Sequence, residues 1–192
     1  MQGRGGGAGA VIREFAGGQL RASLCGTLHG IATAAGCQLV ATCDLAVAAD
    51  TTRFATPGVN IGLFCSTPMV ALSRAVGRKH AMEMLLTGDM IGAGEAHELG
   101  LVTWVKAAGE IDAFVDGIAA RLAGGPPFAL AQSKALLNDG ANATLREALA
   151  NEARAQPGNF ATADSGEAYA AFAAKREPEF TGAWSLYDTN EE

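Results

Sequence analysis

Between Leu28 and Ala49 the chain carries no aromatic residue and little bulk, with small residues filling most positions. A stretch so poor in volume can be buried only where backbones approach one another closely. Gly30-Ile-Ala-Thr-Ala-Ala-Gly-Cys-Gln-Leu-Val-Ala-Thr-Cys43 reads as a tight turn entering a helix of small residues. Cys37, Val40 and Cys43 then share one face, and Asp44-Leu-Ala-Val-Ala48 follows as a short buried strand. The remainder agrees, with 25 glycines and only 6% aromatic residues in 192. Such a core is built from small aliphatic side chains. That favours an α/β fold over a sandwich organised on aromatic anchors.

Composition narrows the class further. Apolar residues make up 49% and charged residues 18%, which excludes a chain disordered throughout. The net charge of −6 leaves no domain-wide basic footprint for nucleic acid or an anionic membrane. The longest apolar stretch, Gly30 to Ala49, holds Gln38 and Asp44 and is punctuated by Gly36, so it is not expected to span a bilayer. The chain reads as soluble. Residues 1–29 lack the apolar core of a secretory signal, while Arg4 and Arg13, with no acid before Glu14, leave a transit peptide open. Cys25, Cys37, Cys43 and Cys65 form no CxxC pair and have no histidine at ligand spacing. They read as reduced thiols, mostly buried, and no metal site is expected.

The first ten residues hold five glycines and read as a loose terminus; GRGGGAG follows no strand and lacks GxGxxG spacing. Further on, Thr67-Pro68 reads as an N-cap with proline opening a helix that runs to Val76 and closes at Gly77. Arg78–Leu86 stops at Gly88, and Ala93–Leu99 stops at Gly100 before a strand Leu101–Val105. Helices are then expected over 110–123, 128–138, 144–155 and 164–176. Three regions result: an atypical start (1–28), an α/β core (29–108) and a helical tail (109–192).

In the segment His29–Leu39, small side chains at Ala34, Ala35 and Gly36 let a ligand oxygen reach the backbone. The helix beginning there aims free N–H groups and its positive dipole end at such an oxygen, which suits a developing oxyanion. A tightly packed helix entry explains the same residues equally well.

The wider pattern bears on this choice. Phe54-Ala-Thr-Pro-Gly-Val-Asn-Ile-Gly62, Arg74-Ala-Val-Gly77, Ala81-Met-Glu-Met-Leu-Leu-Thr-Gly88, Ile91, Ala96, Gly100-Leu-Val102 and Ala171-Phe-Ala-Ala-Lys-Arg-Glu-Pro-Glu-Phe180 follow in order. Over about residues 29–182 the chain resembles the crotonase (enoyl-CoA hydratase/isomerase) superfamily. His29–Phe54 and Ala-Thr-Pro-Gly-Val-Asn-Ile-Gly-Leu-Phe-Cys-Ser-Thr-Pro look closest to its enoyl-CoA hydratase domain-containing protein 3 branch. The resemblance implies a spiral of ββα turns followed by a helical trimerisation region, hence a homotrimer or hexamer. It implies an acyl-CoA thioester as substrate, coenzyme A entering only as part of that substrate and no separate cofactor. The compartment implied is the cytoplasm, or the mitochondrial matrix in a eukaryote.

In this family two backbone N–H groups hold the thioester enolate. One falls at Ala35, in the family's Gly-Gly-Gly-Cys word written here Ala34-Ala35-Gly36-Cys37. Alanine keeps the N–H and narrows the pocket slightly. Phe172 and Lys175, three apart on the last expected helix and so on one face, are implied to meet the CoA adenine and phosphate, against the plain reading of an amphipathic helix end.

Three departures stand out. The two glutamates that hydratases of the family use as base and acid are replaced by Gln38 and Gly58, which removes proton-transfer help worth roughly 10²–10⁴-fold. Related isomerases place a carboxylate near Ser66, where a hydroxyl can position only water or a thioester oxygen. Lastly, Phe15-Ala-Gly-Gly-Gln-Leu20 weakly echoes the word that supplies the second oxyanion donor, with only eight residues between it and His29. Either the start is truncated or shortened, or the echo is coincidence. A spiral without its early turns exposes strand edges unless a partner covers them.

Other chemistries fit less well. No GxSxG elbow accompanies His29, His80 or His97. Asp44 reads as a cap, Glu83, Glu95 and Glu98 as solvated helix acids, Cys65 as a packed loop cysteine and Gln38 as a hydrogen-bonding pocket residue. Two functions remain. One is a CoA-thioester enzyme relying on backbone oxyanion stabilisation; the other is a non-catalytic or regulatory subunit assembling with a full-length relative.

Overall fold

The structure, a computed structural model, describes residues 9–17 and 20–184, with side chains from Leu28 onward. Two compact units result: residues 9–14 with 22–119 form one, and the remaining described residues the other.

The first unit is organised by a repeated β–β–α step. Strand β2 (Leu20–His29) passes through Gly30, at φ 79°, into β3 (Ile31–Thr33), and helix α1 (Ala35–Thr42) follows. The next step is β4 (Leu45–Ala49), β5 (Arg53–Ala55), a short 3-10 helix (Pro57–Ile61) and helix α2 (Ser66–Ala75). Equivalent strands of the two steps lie side by side and parallel, β2 with β4 and β3 with β5. Their corners are tied by Arg53 N–H to the Gly30 carbonyl at 2.9 Å and by the buried Thr52 hydroxyl to the Leu28 carbonyl at 2.6 Å. This is the spiral implied by the resemblance.

Two sheets emerge. One has the order β1-β2-β4-β7, with β1 spanning Gly9–Gly17 and β7 Trp104–Lys106; the other is β3-β5-β6, with β6 at Ile91–Gly92. Helices α3 (Arg78–Thr87) and α4 (Ala93–Glu98) end at Gly88 and Gly100, whose φ values of 69° and 85° supply the left-handed turns. The core is as small as the sequence implies. Ala32, Ala46, Ala48, Ala81, Ala93 and Ala96 are buried around Phe54, Leu72 and Met84.

Several elements depart from the sequence reading. Gly9–Gly17 and Leu20–His29 are strands where an irregular start is expected; of that start, only residues 1–8 and the Gly18-Gln19 pair lie outside the described structure. The signal in β2 is the alternation of Leu20, Ala22, Leu24 and Leu28 with polar Arg21, Ser23, Thr27 and His29. Ile31–Thr33 is strand rather than helix because it pairs with β5. Helix α2 starts at Ser66 with Cys65 as N-cap, so Thr67 caps nothing. Leu101 and Val102 donate their N–H groups to the Ala96 carbonyl at 2.8 and 3.2 Å, which delays β7 to Trp104.

The second unit is helical: the end of α5 (Ile111–Ala123), then α6 (Pro127–Gly140), α7 (Leu145–Phe160) and α8 (Ala163–Ala174). Helix α7 runs past the expected end at 155, through Pro157, and α6 packs on it. The Phe128 ring would lie 3.3 Å from a β-carbon at Gly158, so glycine lets that ring seat there. Buried Asp164 accepts N–H bonds from Thr181 at 2.8 Å and Gly182 at 3.0 Å, and Phe128 meets Trp184 edge-on at 5.0 Å. Neither α6 nor α7 contains a fully buried residue.

Candidate active site

Helix α1 begins abruptly. Ala34, its N-cap, sits at φ 46° and ψ −113°, a conformation that L residues rarely adopt. It is pinned on both sides: its N–H donates to the Ala55 carbonyl at 3.0 Å, and its carbonyl accepts the Gln38 N–H at 3.0 Å. Alanine offers no side-chain oxygen, and no side chain caps this helix end. The N–H of Ala35, in the first helical position, therefore has no intrahelical acceptor. No acidic residue occupies the first turn of α1 or of α2, so the positive ends of both helices keep their potential.

Both helix starts face one cavity of about 460 Å³. Ala34 and Ala35 come from α1, Pro57, Gly58, Asn60 and Ile61 from the 3-10 helix, and Leu63 to Pro68 from the loop and first turn of α2. No Asp, Glu, His or Lys lines it. Its electrostatics come from backbone N–H groups and its walls are largely apolar. Such a pocket can polarise a carbonyl, but no carboxylate, imidazole or ammonium group lines it.

Gly58 occupies a position with no room for a side chain as the loop stands. Its N–H donates to Cys65 Sγ at 3.3 Å and its carbonyl accepts the Leu63 N–H at 2.9 Å. A β-carbon at 58 would lie 2.9 Å from Cys65 Sγ, 3.0 Å from Leu63 O and 3.1 Å from Cys65 N. The loop tip beyond is apolar and open, with Ile61 76%, Leu63 61% and Phe64 73% exposed.

The structure thus brings Ala34, Ala35, Gly58 and Ser66 to one cavity. Gly36 and half-buried Gln38 belong to α1 but do not line it; the Gln38 carbonyl accepts the Thr42 hydroxyl at 2.8 Å. The reading of Gln38 as a pocket residue gains no support from the lining. Phe172 and Lys175 lie in the helical unit. Phe172 is 86% exposed, and Lys175 caps α8 in the left-handed conformation at φ 54°, so the two do not share a continuous helical face. Among the histidines, His97 Nδ1 lies 3.3 Å from the Val102 carbonyl and His80 3.7 Å from Glu83.

Sequence reasoning missed the weight of Cys65, which lines the cavity and closes over Gly58. It also missed Leu63 and Phe64; the apolar pair in a glycine-flanked loop was the available signal. Cys37, behind the site on α1, is buried, and burial, with Cys65 adding to it, pushes its thiol up to about 12. Among the described residues no group of three His, Cys, Asp or Glu is placed to hold a metal, and no helix is long and apolar enough to cross a membrane.

The ββα spiral and the uncapped helix start at Ala35 define the class: the chain belongs to the enoyl-CoA hydratase/isomerase family, whose sequence profile matches residues 19–183. Within that family it is similar to enoyl-CoA hydratase domain-containing protein 3, mitochondrial. The mouse protein is 47% identical over 151 residues and the human one 46%, each match covering 79% of this chain and 50% of the relative. A probable enoyl-CoA hydratase of Mycobacterium leprae is 34% identical over 84% of this chain. Among solved structures, an enoyl-CoA hydratase of Mycobacterium smegmatis matches with a TM-score of 0.77, and human enoyl-CoA hydratase domain-containing protein 3 with 0.74. Both are 46% identical, and each match covers 80% of this chain and 60% of the other. The chain spans about half the length of these mouse and human relatives.

Proposed function

We propose that this chain supplies a binding pocket for an acyl-CoA thioester in which the Ala35 N–H polarises the thioester carbonyl, without the hydratase pair of proton-transferring glutamates. The observation that carries this reading is the uncapped start of α1 opening into a cavity with no carboxylate or imidazole in its lining. Ala34 and Gly36 shape the approach to that N–H. Ser66, in the first turn of α2, orients water or a thioester oxygen, and Gln38 and Gly58 stand where the family's glutamates would be. Phe172 and Lys175 are the candidate contacts for the CoA adenine and phosphate, and the exposure of Phe172 supports that role. The protein acts in the cytoplasm or, in a eukaryote, in the mitochondrial matrix, as the mitochondrial names of its animal relatives suggest.

Incubation with crotonyl-CoA, following loss of enoyl absorbance, tests the first half of this reading. The expected result is binding with little or no hydration. A turnover of about tens per second, undiminished in Gln38→Ala, would contradict it.

A second reading, a non-catalytic subunit assembling with a full-length relative, is favoured by the surface of the helical unit. Leu137, Leu145, Leu149, Phe160 and Tyr169 are all more than half exposed there, with values from 56% to 77%. Such a surface suits a homotrimer or hexamer as well as a mixed assembly. Calorimetry separates the two readings. Micromolar acyl-CoA affinity by the isolated chain supports the first, and no binding together with mixed oligomers supports the second.

A further inference from the structure

We infer that Gly58 and Cys65 form a clasp that determines the shape and specificity of this pocket, with Cys65 as its positioning residue. The inference deepens the thioester-pocket reading and takes the cavity's role from it.

The clasp is built at the neck of the loop 58–65. Both backbone polar groups of Gly58 are engaged across that neck, its N–H with Cys65 Sγ at 3.3 Å and its carbonyl with the Leu63 N–H at 2.9 Å. Cys65 is anchored independently as the N-cap of α2, where its carbonyl accepts the Met69 N–H at 3.0 Å. The loop is thus fastened to a helix start at one end and closed on glycine at the other. Gly62, at φ 74°, makes the turn between them.

Contact distances explain why position 58 is glycine in this loop. A β-carbon there would sit 2.9 Å from the Cys65 sulfur and 3.0–3.1 Å from two backbone atoms, all closer than side chains normally pack. An open loop carrying glycine would be a glutamate position with its side chain deleted. This loop has instead filled that volume with its own sulfur and backbone. Closure leaves Leu63 and Phe64 lining the cavity while largely exposed. The pocket wall this loop supplies is therefore apolar where hydratases of the family keep a carboxylate. The ligand class this favours is a CoA thioester whose acyl chain is apolar next to the carbonyl, held without activation of water.

The test uses the full chain. Cys65→Ala removes the sulfur and adds no atom. Amide exchange of Gly58 and Leu63 should rise at least tenfold in this variant, while α3 is unchanged; Cys65→Ser, which keeps an acceptor, should stay within twofold of the parent. In the parent, Gly58→Ala should raise the alkylation rate of Cys65 by iodoacetamide, mapped on its peptide, at least tenfold. Unchanged exchange in Cys65→Ala would overturn the clasp, whether or not the Gly58 variant folds. For the specificity claim the probe is butyryl-CoA, whose affinity should fall at least fivefold in Cys65→Ala and be restored in Cys65→Ser; equal affinities in all three would overturn that role. Absence of butyryl-CoA binding by the parent counts against the thioester reading and with it the specificity role, while the exchange result still decides the clasp itself.

Discussion

Replacing Ala34 by glycine should make this protein more stable, although glycine substitutions usually do the reverse. Ala34 stands at φ 46° and ψ −113°, where a β-carbon crowds its own backbone. Holding a non-glycine residue in such a region costs about 1–3 kcal/mol. Glycine removes that strain but adds roughly 0.4–1 kcal/mol of unfolded-state entropy. The net expectation is a gain of about 1 kcal/mol, or about 2–4 °C in Tm for a chain of this size. Both bonds that fix the position, Ala34 N–H to Ala55 O and Gln38 N–H to Ala34 O, are made by backbone atoms and survive the change. Ala35→Gly is the matched control. It lies inside α1, where glycine is expected to cost up to about 1 kcal/mol. Thermal melting and urea midpoints of the two variants should move in opposite directions. If Ala34→Gly lowers the midpoint as Ala35→Gly does, the strained entry to α1 is wrong, and with it the aim given to the Ala35 N–H.

Three further outcomes are expected. Thr162→Ala should cost about 1–2 kcal/mol in urea unfolding, because buried Thr162 caps α8 by accepting the Ser165 N–H at 3.2 Å and donating to the Asn159 carbonyl at 2.8 Å. Glu167, held by the Arg176 guanidinium at 2.5 and 2.7 Å and by the Glu179 N–H, has its carboxyl lowered from 4.5 to about 2. Its folded pKa lies below the unfolded one, so the pair's contribution is present above about 4.5 and disappears as pH falls toward about 2. NMR titration should show the midpoint of Glu167 rising in Arg176→Gln; an unchanged midpoint would remove Arg176 as the cause. Finally, Cys37, with its thiol pushed up to about 12, should resist iodoacetamide at pH 8 until the chain unfolds, and early labelling of Cys37 would contradict its burial.

The parts of the fold carried by punctuation and periodicity were legible in the sequence. Gly88 and Gly100 end helices as left-handed residues, and Leu45–Ala49 is the buried strand its apolar run suggests. Elements set by distant partners were not. Ile31–Thr33 looks helical in isolation and becomes a strand only because Arg53–Ala55 lies beside it. The helix expected to end at 155 runs on to Phe160, beside the Phe128 ring of α6, a partner that no local spacing announces. The site divides in the same way. The helix start lining the cavity is signalled locally by the small-residue turn, whereas the choice of Ala35 within it rests on the family resemblance. Gly58 could be read as a missing carboxylate, but closure of the loop depends on a sulfur seven residues away whose contact no spacing rule reveals.

The central claim is that the Ala35 N–H stabilises charge on a thioester oxygen. Titration with acetoacetyl-CoA tests it most directly, because the enolate of that β-ketothioester absorbs in the ultraviolet and a site that stabilises the anion brings the band out at a lower pH than free solution does. Measured at a pH where free acetoacetyl-CoA is un-ionised, the band should appear and saturate with protein, and free coenzyme A should compete it away. Saturable binding without the band would mean that the ligand is held but its carbonyl is not polarised, which would contradict the account.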